Sequence, residues 1–408
     1  MSDIIQKTGG RKALNDRQTF NFDAPPDRRQ SGSLKWDVGK DELPMWVADM
    51  DFQTAPAVVE AVAARARAGV YAYTIVPERW YDAVIGWWKA RHNVSFQRDW
   101  LCFCTGVVPA ITSAVKRLTN AGDKVVVQTP VYDIFFHSVE NTGRTVLENR
   151  LTYENGNYAV DFDDLEQKLS DPLATMLILC NPHNPVGRIW TKEEFARIGA
   201  LCEKYGVTVL SDEIHCDLTD PGAEYTPYIA ATPACAKNSV TCVSASKAFN
   251  LAGLQSAAVV VPDENLRHKI VRGLNSDELA EPNCFAAESA IAAFEKGAPW
   301  LDALREYLFE NKRAAVAFIE RELPFIAPVR SQATYLLWLD CGKITEDSDE
   351  LCAFLRRKTG LYLSAGGQYR GNGGTFLRMN LACPKARLQD GLQRFSRGIQ
   401  AYREEKNR

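Results

Sequence analysis

An amide, a carboxylate and an amine each follow a short apolar run in the middle of this chain. They are Asn181, Asp212 and Lys247, and the runs before them are 176–180, 207–210 and 240–243. Short apolar runs are typical of buried parallel strands, whose carboxyl ends meet at one edge of a sheet. A lysine that forms a Schiff base, a carboxylate that pairs with a ring nitrogen and a hydrogen-bond donor are the groups that pyridoxal 5′-phosphate (PLP) requires.

Lys247 is the candidate for cofactor attachment because it follows a hydrophobic strand, where a solvated surface lysine is not expected. The same amine could then take the Cα proton of a bound amino acid. Asp212 lies 35 residues earlier, a spacing that fits one βαβ step and brings both residues to the same edge. We expect Asp212 to keep the ring nitrogen protonated, and the alternative is a helix N-cap. Glu213 is less suited, because alternation along a strand aims it elsewhere.

The loop that begins at Asn181 contains Pro182 and Pro185, which fix its backbone. We expect Asn181 to donate a hydrogen bond to the 3′-oxygen of the cofactor. Asn184 could be the donor instead, although an asparagine before proline is often only a turn residue.

A phosphate group requires backbone N–H groups at the start of a helix, together with hydroxyls. Gly106, Val107 and Val108 come after the strand-like run 101–104 and open a helical pattern. Ser244 and Ser246 offer hydroxyls just before Lys247. We therefore expect the phosphate to bind between these two segments.

Strand-like runs alternate with amphipathic helices from about residue 54 to residue 286, which predicts a mostly parallel sheet covered by helices on both faces. After residue 286 the pattern changes to long helices and a few strands, typical of a smaller α+β domain. The predicted division is an arm with part of the small domain (1–53), a large cofactor-binding domain (54–286) and a small domain (287–408). Thr191, followed by Glu194, predicts a capping box at the start of a helix over 191–205.

The composition excludes several classes of function. The chain has 408 residues, and its net charge of −3 gives no reason to expect binding to nucleic acid or to an anionic membrane. The amino terminus has no signal-peptide pattern, and no apolar stretch approaches the ~18 residues of a membrane span. Eleven scattered cysteines without a Cys-x-x-Cys motif predict buried thiols in a reducing cytoplasm and no metal site.

With these segments, the chain resembles the fold-type I PLP enzymes of the class I/II aminotransferase superfamily, and within them the cystathionine β-lyase-like C–S lyases of the MalY/PatB type. The resemblance covers nearly the whole chain. It is most specific in WVADMDF (46–52), NPHNPVGR (181–188) and SDEIH (211–215). Further matching segments are 71–73, 105–108, 128–132, 244–255 and 377–380.

The resemblance implies an aspartate aminotransferase-like fold with a seven-stranded sheet, and a homodimer with shared active sites. Tyr132 resembles the aromatic residue that stacks on the pyridine ring, and Arg378 the arginine that grips the substrate carboxylate. Tyr73 resembles a tyrosine that reaches the phosphate in the neighbouring subunit. His215 is expected close to the 3′-oxygen. Ala48 is expected beside the substrate, together with Arg378 and Asn181.

The activity implied is β-elimination from an S-substituted cysteine, which gives a thiol, pyruvate and ammonia. An aminotransferase that uses the same residues is the alternative, and a regulatory protein that only binds a partner is a third possibility. Many aminotransferases carry a phosphate-pairing arginine eight residues after the lysine, and this chain has Gln255 there, which favours the lyase. Val76 and Tyr369 depart from the pattern of relatives near the substrate, so the substrate stays open.

Overall fold

The fold was analysed in a computed structural model that describes residues 20–406. The sequence-predicted strands at 101–104, 176–180 and 240–243 form, each within two residues of the predicted bounds. Along the described chain the strands are β1 (Leu43–Pro44), β2 (Leu101–Cys104), β3 (Lys124–Thr129), β4 (Thr145–Arg150), β5 (Thr152–Glu154), β6 (Asn157–Ala159), β7 (Ala174–Cys180), β8 (Thr208–Asp212), β9 (Ser239–Val243), β10 (Ala257–Val260), β11 (Ala327–Pro328), β12 (Leu336–Asp340), β13 (Leu361–Tyr362), β14 (Ser364–Ala365) and β15 (Phe376–Asn380).

Helices occupy most of the chain between the strands. The predicted capping box forms at the start of one of them, where Thr191 and Glu194 bond to each other's backbone N–H. The helices are α1 (Pro56–Arg67), α2 (Glu78–His92), α3 (Val107–Leu118), α4 (Ile134–Glu140), α5 (Phe162–Leu169), α6 (Lys192–Tyr205), α7 (Tyr228–Ala231), α8 (Pro233–Lys237), α9 (Ala245–Ala248), α10 (Glu264–Ser276), α11 (Ala286–Lys296), α12 (Ala298–Glu322), α13 (Ser348–Thr359) and α14 (Lys385–Lys406).

Seven strands form the central sheet, in the order β2-β10-β9-β8-β7-β3-β4. Strand β10 is antiparallel to both of its neighbours, and the other pairs are parallel. The predicted α/β fold with a mostly parallel seven-stranded sheet is therefore confirmed. Its consequence for function is that β2, β3, β7, β8 and β9 all end at the same edge.

Alternate residues of the buried strands pack against helices on opposite faces of the sheet. In β3, Val125 and Val127 join the apolar cluster that includes α3 and α4, whereas Val126 joins the one that includes α5 and α6. Both faces are thus covered, as continuous apolar strands require. None of the helices among residues 20–406 combines the length and apolar character needed to cross a bilayer.

A second sheet lies in the carboxyl-terminal part, with the order β11-β12-β15-β14 and antiparallel pairing throughout. Strand β1 pairs with β13, so the segment predicted as an irregular arm contains a short strand at Leu43–Pro44. The proposed division at residues 53 and 286 stays a prediction, and residues 1–19 of the arm lie outside the described residues.

The sequence patterns missed strand β4, which lies at one end of the sheet order. Its outward residues are polar, and only Asn149 of its six residues is fully buried. Val146 and Leu147 pack against the apolar clusters on opposite faces of the sheet, but a run of two apolar residues is too short for a hydrophobic pattern to reveal a strand. The sequence patterns also did not predict that β10 is antiparallel to its neighbours, because the direction of a strand does not depend on its composition.

Candidate active site

A cavity of about 480 Å³ lies where β2, β7, β8 and β9 end. Residues from the central sheet line one side, and Ser364, Tyr369 and Arg378 from the second sheet and its loop line the other. The sequence-predicted residues that line the cavity are Ala48, Gly106, Val107, Val108, Tyr132, Asp212, His215, Ser246, Lys247 and Arg378. Asn181, Ser244 and Tyr73 do not line it.

Lys247 lies on the short helix α9, which follows β9 directly. Its Nζ donates a 2.6 Å hydrogen bond to the backbone carbonyl of Ala48. Burial, and then the positive charge of Arg378, lower the pKa of the Lys247 amine to about 8, against the attraction of Asp49 and Asp212. A lysine with such a pKa is partly neutral near pH 7, which suits both a nucleophile and a proton acceptor.

Asp212 is the last residue of β8 and is almost fully buried. Its Oδ1 accepts a 3.1 Å hydrogen bond from the N–H of Ile214, and within the described chain it forms no ion pair. Burial raises the pKa of its carboxyl to about 7, against the opposing effects of that N–H and of Lys247. A buried carboxyl without a cation beside it can receive a cationic group from a ligand.

The structure corrects the assignment of the amide donor. Asn181 continues strand β7, because its N–H donates to the carbonyl of Asp212 at 2.9 Å. Cys180 pairs with Asp212 and lines the cavity, so alternation turns the next side chain to the opposite face of the sheet. There the amide of Asn181 donates to the carbonyl of Thr226 at 3.0 Å.

Asn184, the alternative from the sequence, lines the cavity. Its Oδ1 accepts a 3.2 Å hydrogen bond from Nη1 of Arg378. Its carbonyl accepts from the N–H of Tyr132 at 3.2 Å, which ties the loop to the wall of the cavity that carries the tyrosine. The Nδ2 group of Asn184 is therefore an amide donor available to a ligand in this cavity, whereas that of Asn181 is not.

The structure also separates the two serines. Ser244 caps α9: its hydroxyl accepts from the N–H of Ser246 at 3.0 Å and donates to the carbonyl of Ser256 at 2.6 Å. Both functions of that hydroxyl are used within the protein, and Ser244 does not line the cavity. Ser246 does line it. The expected hydroxyl donor is thus Ser246, and Ser244 fixes the turn that presents it.

Helix α3 begins at Val107 and points its first turn at the same part of the cavity. The first N–H groups of a helix have no partner within the helix and attract an anion. Gly106 precedes it, and a Cβ atom there would lie 3.1 Å from Cδ of Pro109. Gln255, whose backbone lies in the left-handed region at φ 54°, also lines the cavity. It occupies the position at which many aminotransferases carry a phosphate-pairing arginine.

Arg378 reaches the cavity from β15 and is almost fully buried. Its Nη2 donates to the carbonyl of Trp46 at 2.8 Å, and its Nε is buried without a partner. No carboxylate among residues 20–406 forms an ion pair with it. A buried guanidinium with these properties is suited to a carboxylate ligand, which it can bind with two parallel hydrogen bonds.

Two more predicted residues line the cavity in neutral form. Burial raises the pKa of the Tyr132 hydroxyl to about 12. Burial, and then the charges of Lys247 and Arg378, lower the pKa of His215 to about 3. The Nδ1 atom of His215 is buried without a partner, so it can still accept or donate one hydrogen bond.

Tyr73 lies outside the cavity. Tyr73 is fully exposed, and it is accompanied by the exposed apolar side chains of Val70, Tyr71 and Ile75. Tyr369 lines the cavity. The next residue, Arg370, does not, and it pairs with Glu140 at 2.7 Å. Lining residues that the sequence did not single out come from loops and from the second sheet. Among them are Asp133, Ser364 and Gln368.

These groups fit PLP. The unpaired carboxyl of Asp212 suits a protonated ring nitrogen, and the start of α3 suits a phosphate. The unpartnered Nδ1 of His215 lies in the same cavity as the amine of Lys247. The cavity thus holds buried polar groups that a ligand with a ring cation, an anion and polar substituents would satisfy together.

Comparison with known proteins places residues 41–395 in a family described as aminotransferase class I and II. The chain is 43% identical to the cystathionine β-lyase PatB of Bacillus subtilis, over 93% of this chain and all of the relative. Cystalysin of Treponema denticola, whose structure contains a PLP cofactor, superposes with a TM-score of 0.91 at 30% identity, covering 94% and 99% of the two chains. The PLP-bound C–S lyase of Staphylococcus hominis gives a TM-score of 0.88 at 30% identity, over 93% and 98%.

Proposed function

The chain belongs to the aminotransferase class I and II family, and we propose that it is a PLP-dependent carbon–sulfur β-lyase. It acts on S-substituted cysteines such as cystathionine. The observation that carries the proposal is the convergence of Lys247, Asp212 and Arg378 in one cavity of a chain that is 43% identical to a cystathionine β-lyase.

In this proposal Lys247 holds PLP covalently and Asp212 receives its ring nitrogen. The first turn of α3 and the hydroxyl of Ser246 take the phosphate. Asn184, with His215 nearby, takes the place first assigned to Asn181 at the 3′-oxygen. Tyr132 offers its ring to the face of the cofactor. Bound in this way, PLP supplies an electron sink for negative charge at the Cα atom of an amino acid.

Arg378 binds the α-carboxylate of the substrate and fixes the Cα atom within reach of Lys247. The neutral amine of Lys247 takes the Cα proton, which its lowered pKa makes feasible near neutral pH. The carbonyl of Ala48 accepts a hydrogen bond from the resulting ammonium group. Asp212 keeps its negative charge opposite the ring nitrogen throughout.

The overall reaction consumes one water. The Cβ–S bond breaks, and the sulfur leaves with the bonding pair as a thiolate. Protonation of the thiolate gives the thiol. The three-carbon remainder hydrolyses to pyruvate and ammonia. The acid for the thiolate is the ammonium of Lys247, which has just received the Cα proton and lies in the same cavity. No oxidant, reductant or second substrate is needed.

Incubation of the purified, PLP-loaded protein with a panel of S-substituted cysteines tests this function. We expect thiol and pyruvate from at least one member of the panel without any added 2-oxo acid. Failure to release either product from every member would contradict the proposal.

An aminotransferase remains the second candidate, since the matching family carries that description. Both activities use the same proton transfer at Cα and differ in whether a group leaves from Cβ. Accumulation of pyridoxamine phosphate after addition of an amino acid, with turnover only when a 2-oxo acid is present, would favour transfer. The absence of a cation at Gln255 supports the lyase.

We further propose a homodimer in which each subunit contributes Tyr73 to the phosphate of its partner. The segment around Tyr73 carries large apolar side chains that are more than 60% exposed in the single chain: Val70, Tyr71 and Ile75. An exposed apolar patch of this kind is typical of a protein–protein interface. The proposal gives a role to the one predicted cofactor ligand that lies on the outer surface.

We propose that the protein works in the cytoplasm. All eleven cysteines are free thiols, and eight of them are buried. Unpaired cysteines in such number are typical of a reducing compartment.

A further inference from the structure

One short segment holds both cationic side chains of the cavity through its backbone. We call residues 46–52 the strap. The carbonyl of Trp46 accepts from Nη2 of Arg378 at 2.8 Å, and the carbonyl of Ala48 accepts from Nζ of Lys247 at 2.6 Å. The hydroxyl of Tyr335 also donates to Ala48 at 3.0 Å. The positions of these two carbonyls therefore set where the cationic groups lie.

Two asparagines fix the strap from opposite sides. The amide of Asn380, on β15, donates to the carbonyls of Val47 and Asp49 at 2.5 and 2.6 Å. The amide of Asn250, three residues after Lys247, donates to the carbonyls of Met50 and Phe52 at 3.0 Å each. The strap is thus bonded to the strand that carries Arg378 and to the loop that follows Lys247.

The carboxylate of Asp51, a residue of the strap, contacts Arg28, Lys35, Trp36 and Arg387, and we call these five residues the Asp51 cluster. The carboxylate of Asp51 is completely buried and accepts hydrogen bonds from Trp36 at 2.9 Å and Arg387 at 2.7 Å. It also pairs with Lys35 at 3.0 Å and Arg28 at 3.2 Å. Burial would raise the pKa of Asp51, but Lys35, Arg387 and Trp36 outweigh it and lower that pKa.

Arg28 connects the Asp51 cluster to the strap. Its Nη1 bonds to the carboxylate of Asp49 at 3.0 Å, the carbonyl of Met50 at 2.9 Å and the carboxylate of Asp51 at 3.2 Å. One guanidinium therefore holds three successive residues of the strap. Lys35 adds a 3.4 Å contact to the carbonyl of Asp49.

A buried group of charges is weak support for a role in stability, because removing charges from water costs about as much as their attraction returns. The Asp51 cluster nevertheless constrains geometry, because its hydrogen bonds and ion pairs hold the backbone of the strap in a single position. We propose that Asp51 is a positioning residue, which fixes the strap so that the carbonyls of Ala48 and Trp46 hold Lys247 and Arg378 for catalysis. The catalytic part of this inference rests on the proposed function.

The first test is Asp51→Asn, with two readouts. In the cofactor-free protein, the pKa of Lys247 is measured from the pH dependence of its acylation, followed by peptide mass spectrometry. We expect a lower pKa, because a displaced Ala48 carbonyl stabilises the ammonium less. In the PLP-loaded protein, kcat/KM for S-methyl-L-cysteine should fall by about a hundredfold through both a higher KM and a lower kcat.

Asp220→Asn is the matched control. Asp220 pairs with the buried Lys312 at 2.6 Å, and neither residue contacts the strap. This variant opens an ion pair whose lysine is buried and whose aspartate is partly buried, so it should lower the melting temperature while the pKa of Lys247 and KM stay unchanged. Equal changes of pKa and KM in both variants would reduce Asp51 to a purely structural residue and overturn the proposal.

Arg387→Gln separates position from charge and also replaces Asp51→Asn if that variant does not fold. The charged or titratable groups around Lys247 include Arg378, Asp49, Asp212 and His215. The hydroxyls of Tyr132, Tyr335 and Tyr369 lie in the same region. Loss of a positive charge at Arg387 would, through space alone, raise the pKa of Lys247. Loosening of the strap lowers it, which is the result we expect.

An unchanged or raised pKa of Lys247 in Arg387→Gln would contradict the positioning role. The acylation readout needs neither cofactor nor turnover. A failed lyase assay in the wild-type protein would therefore leave this test intact, and the two failures can be told apart.

Discussion

Lys247 donates a 2.6 Å hydrogen bond from its Nζ atom to the backbone carbonyl of Ala48, a residue 199 positions earlier in the chain. The acceptor is polar but uncharged, so it orients the amine without pairing it to an acid. Burial and the charge of Arg378 then lower the pKa of the amine to about 8. A group that must attach a cofactor and later accept a proton needs both charge states close to neutral pH.

Replacement of Asp212 by asparagine should reduce kcat strongly and leave cofactor attachment intact. Asparagine keeps the size of the side chain but cannot hold a proton on the ring nitrogen, so charge at the substrate Cα is stabilised less. We expect a loss on the order of a hundredfold or more. Steady-state kinetics and the visible spectrum of the loaded variant measure the two effects, and near-normal turnover would refute the role of Asp212.

The same substitution should stabilise the cofactor-free protein at alkaline pH. Burial raises the pKa of Asp212 from 3.8 to about 7 in the folded chain. A carboxyl with a raised folded pKa contributes stability that is present below 3.8 and is lost as pH rises through about 7. Asp212→Asn should therefore melt at a higher temperature than the wild type at pH 8, with a smaller gain at pH 5. A lower melting temperature at pH 8 would contradict this.

Asn184 and Asn181 provide a matched pair. Asn184→Asp keeps the Oδ1 atom that accepts from Arg378 and removes the amide donor that faces the cavity. We expect it to change the visible spectrum of the bound cofactor and its pH dependence. Asn181→Asp places a carboxyl against the carbonyl of Thr226 at a fully buried position outside the cavity, so it should lower stability by about 3 kcal/mol or more without a spectral change. The reverse pattern would restore the assignment to Asn181.

Arg378→Lys should raise KM far more than it lowers kcat. Lysine keeps the positive charge but cannot form two parallel hydrogen bonds to a carboxylate. The lost hydrogen bond is worth about 1.5–3 kcal/mol, which corresponds to a rise in KM of roughly ten- to a hundredfold. The wild type and the variant should differ much less with a substrate whose carboxylate is replaced by a carboxamide. An equal loss with both substrates would show that Arg378 does not bind this group.

Subunit mixing tests the proposed contribution of Tyr73. Lys247→Ala and Tyr73→Ala homodimers should each be nearly inactive, but a mixed dimer would contain one site with both residues intact. Random exchange of equal amounts should recover about a quarter of the wild-type activity. Mixed dimers without recovery would indicate that Tyr73 serves its own subunit or none.

The sequence revealed Lys247 and Asp212 because Asp212 ends a hydrophobic strand and Lys247 follows one within four residues, where a charged group has no structural reason to lie. It could not decide between Asn181 and Asn184. The apolar run stops at Cys180, but strand pairing continues for one more residue, and that single step reverses the direction of the side chain. Side-chain direction at the end of a strand depends on pairing, which composition does not record.

Ser244 illustrates a second limit. A serine beside the attachment lysine can bind a phosphate or cap a helix, and both uses have the same sequence pattern. The hydrogen bonds of the Ser244 hydroxyl to the backbone of Ser246 and Ser256 show that Ser244 caps the helix. Likewise, the Asp51 cluster joins residues more than 300 positions apart, so no local pattern could reveal it.

The most direct test of the account measures thiol, pyruvate and ammonia together in one reaction of the PLP-loaded protein with L-cystathionine. We expect equal amounts of all three products without a 2-oxo acid, and none from Lys247→Ala. Product formation that depends on an added 2-oxo acid, or persists in Lys247→Ala, would contradict it.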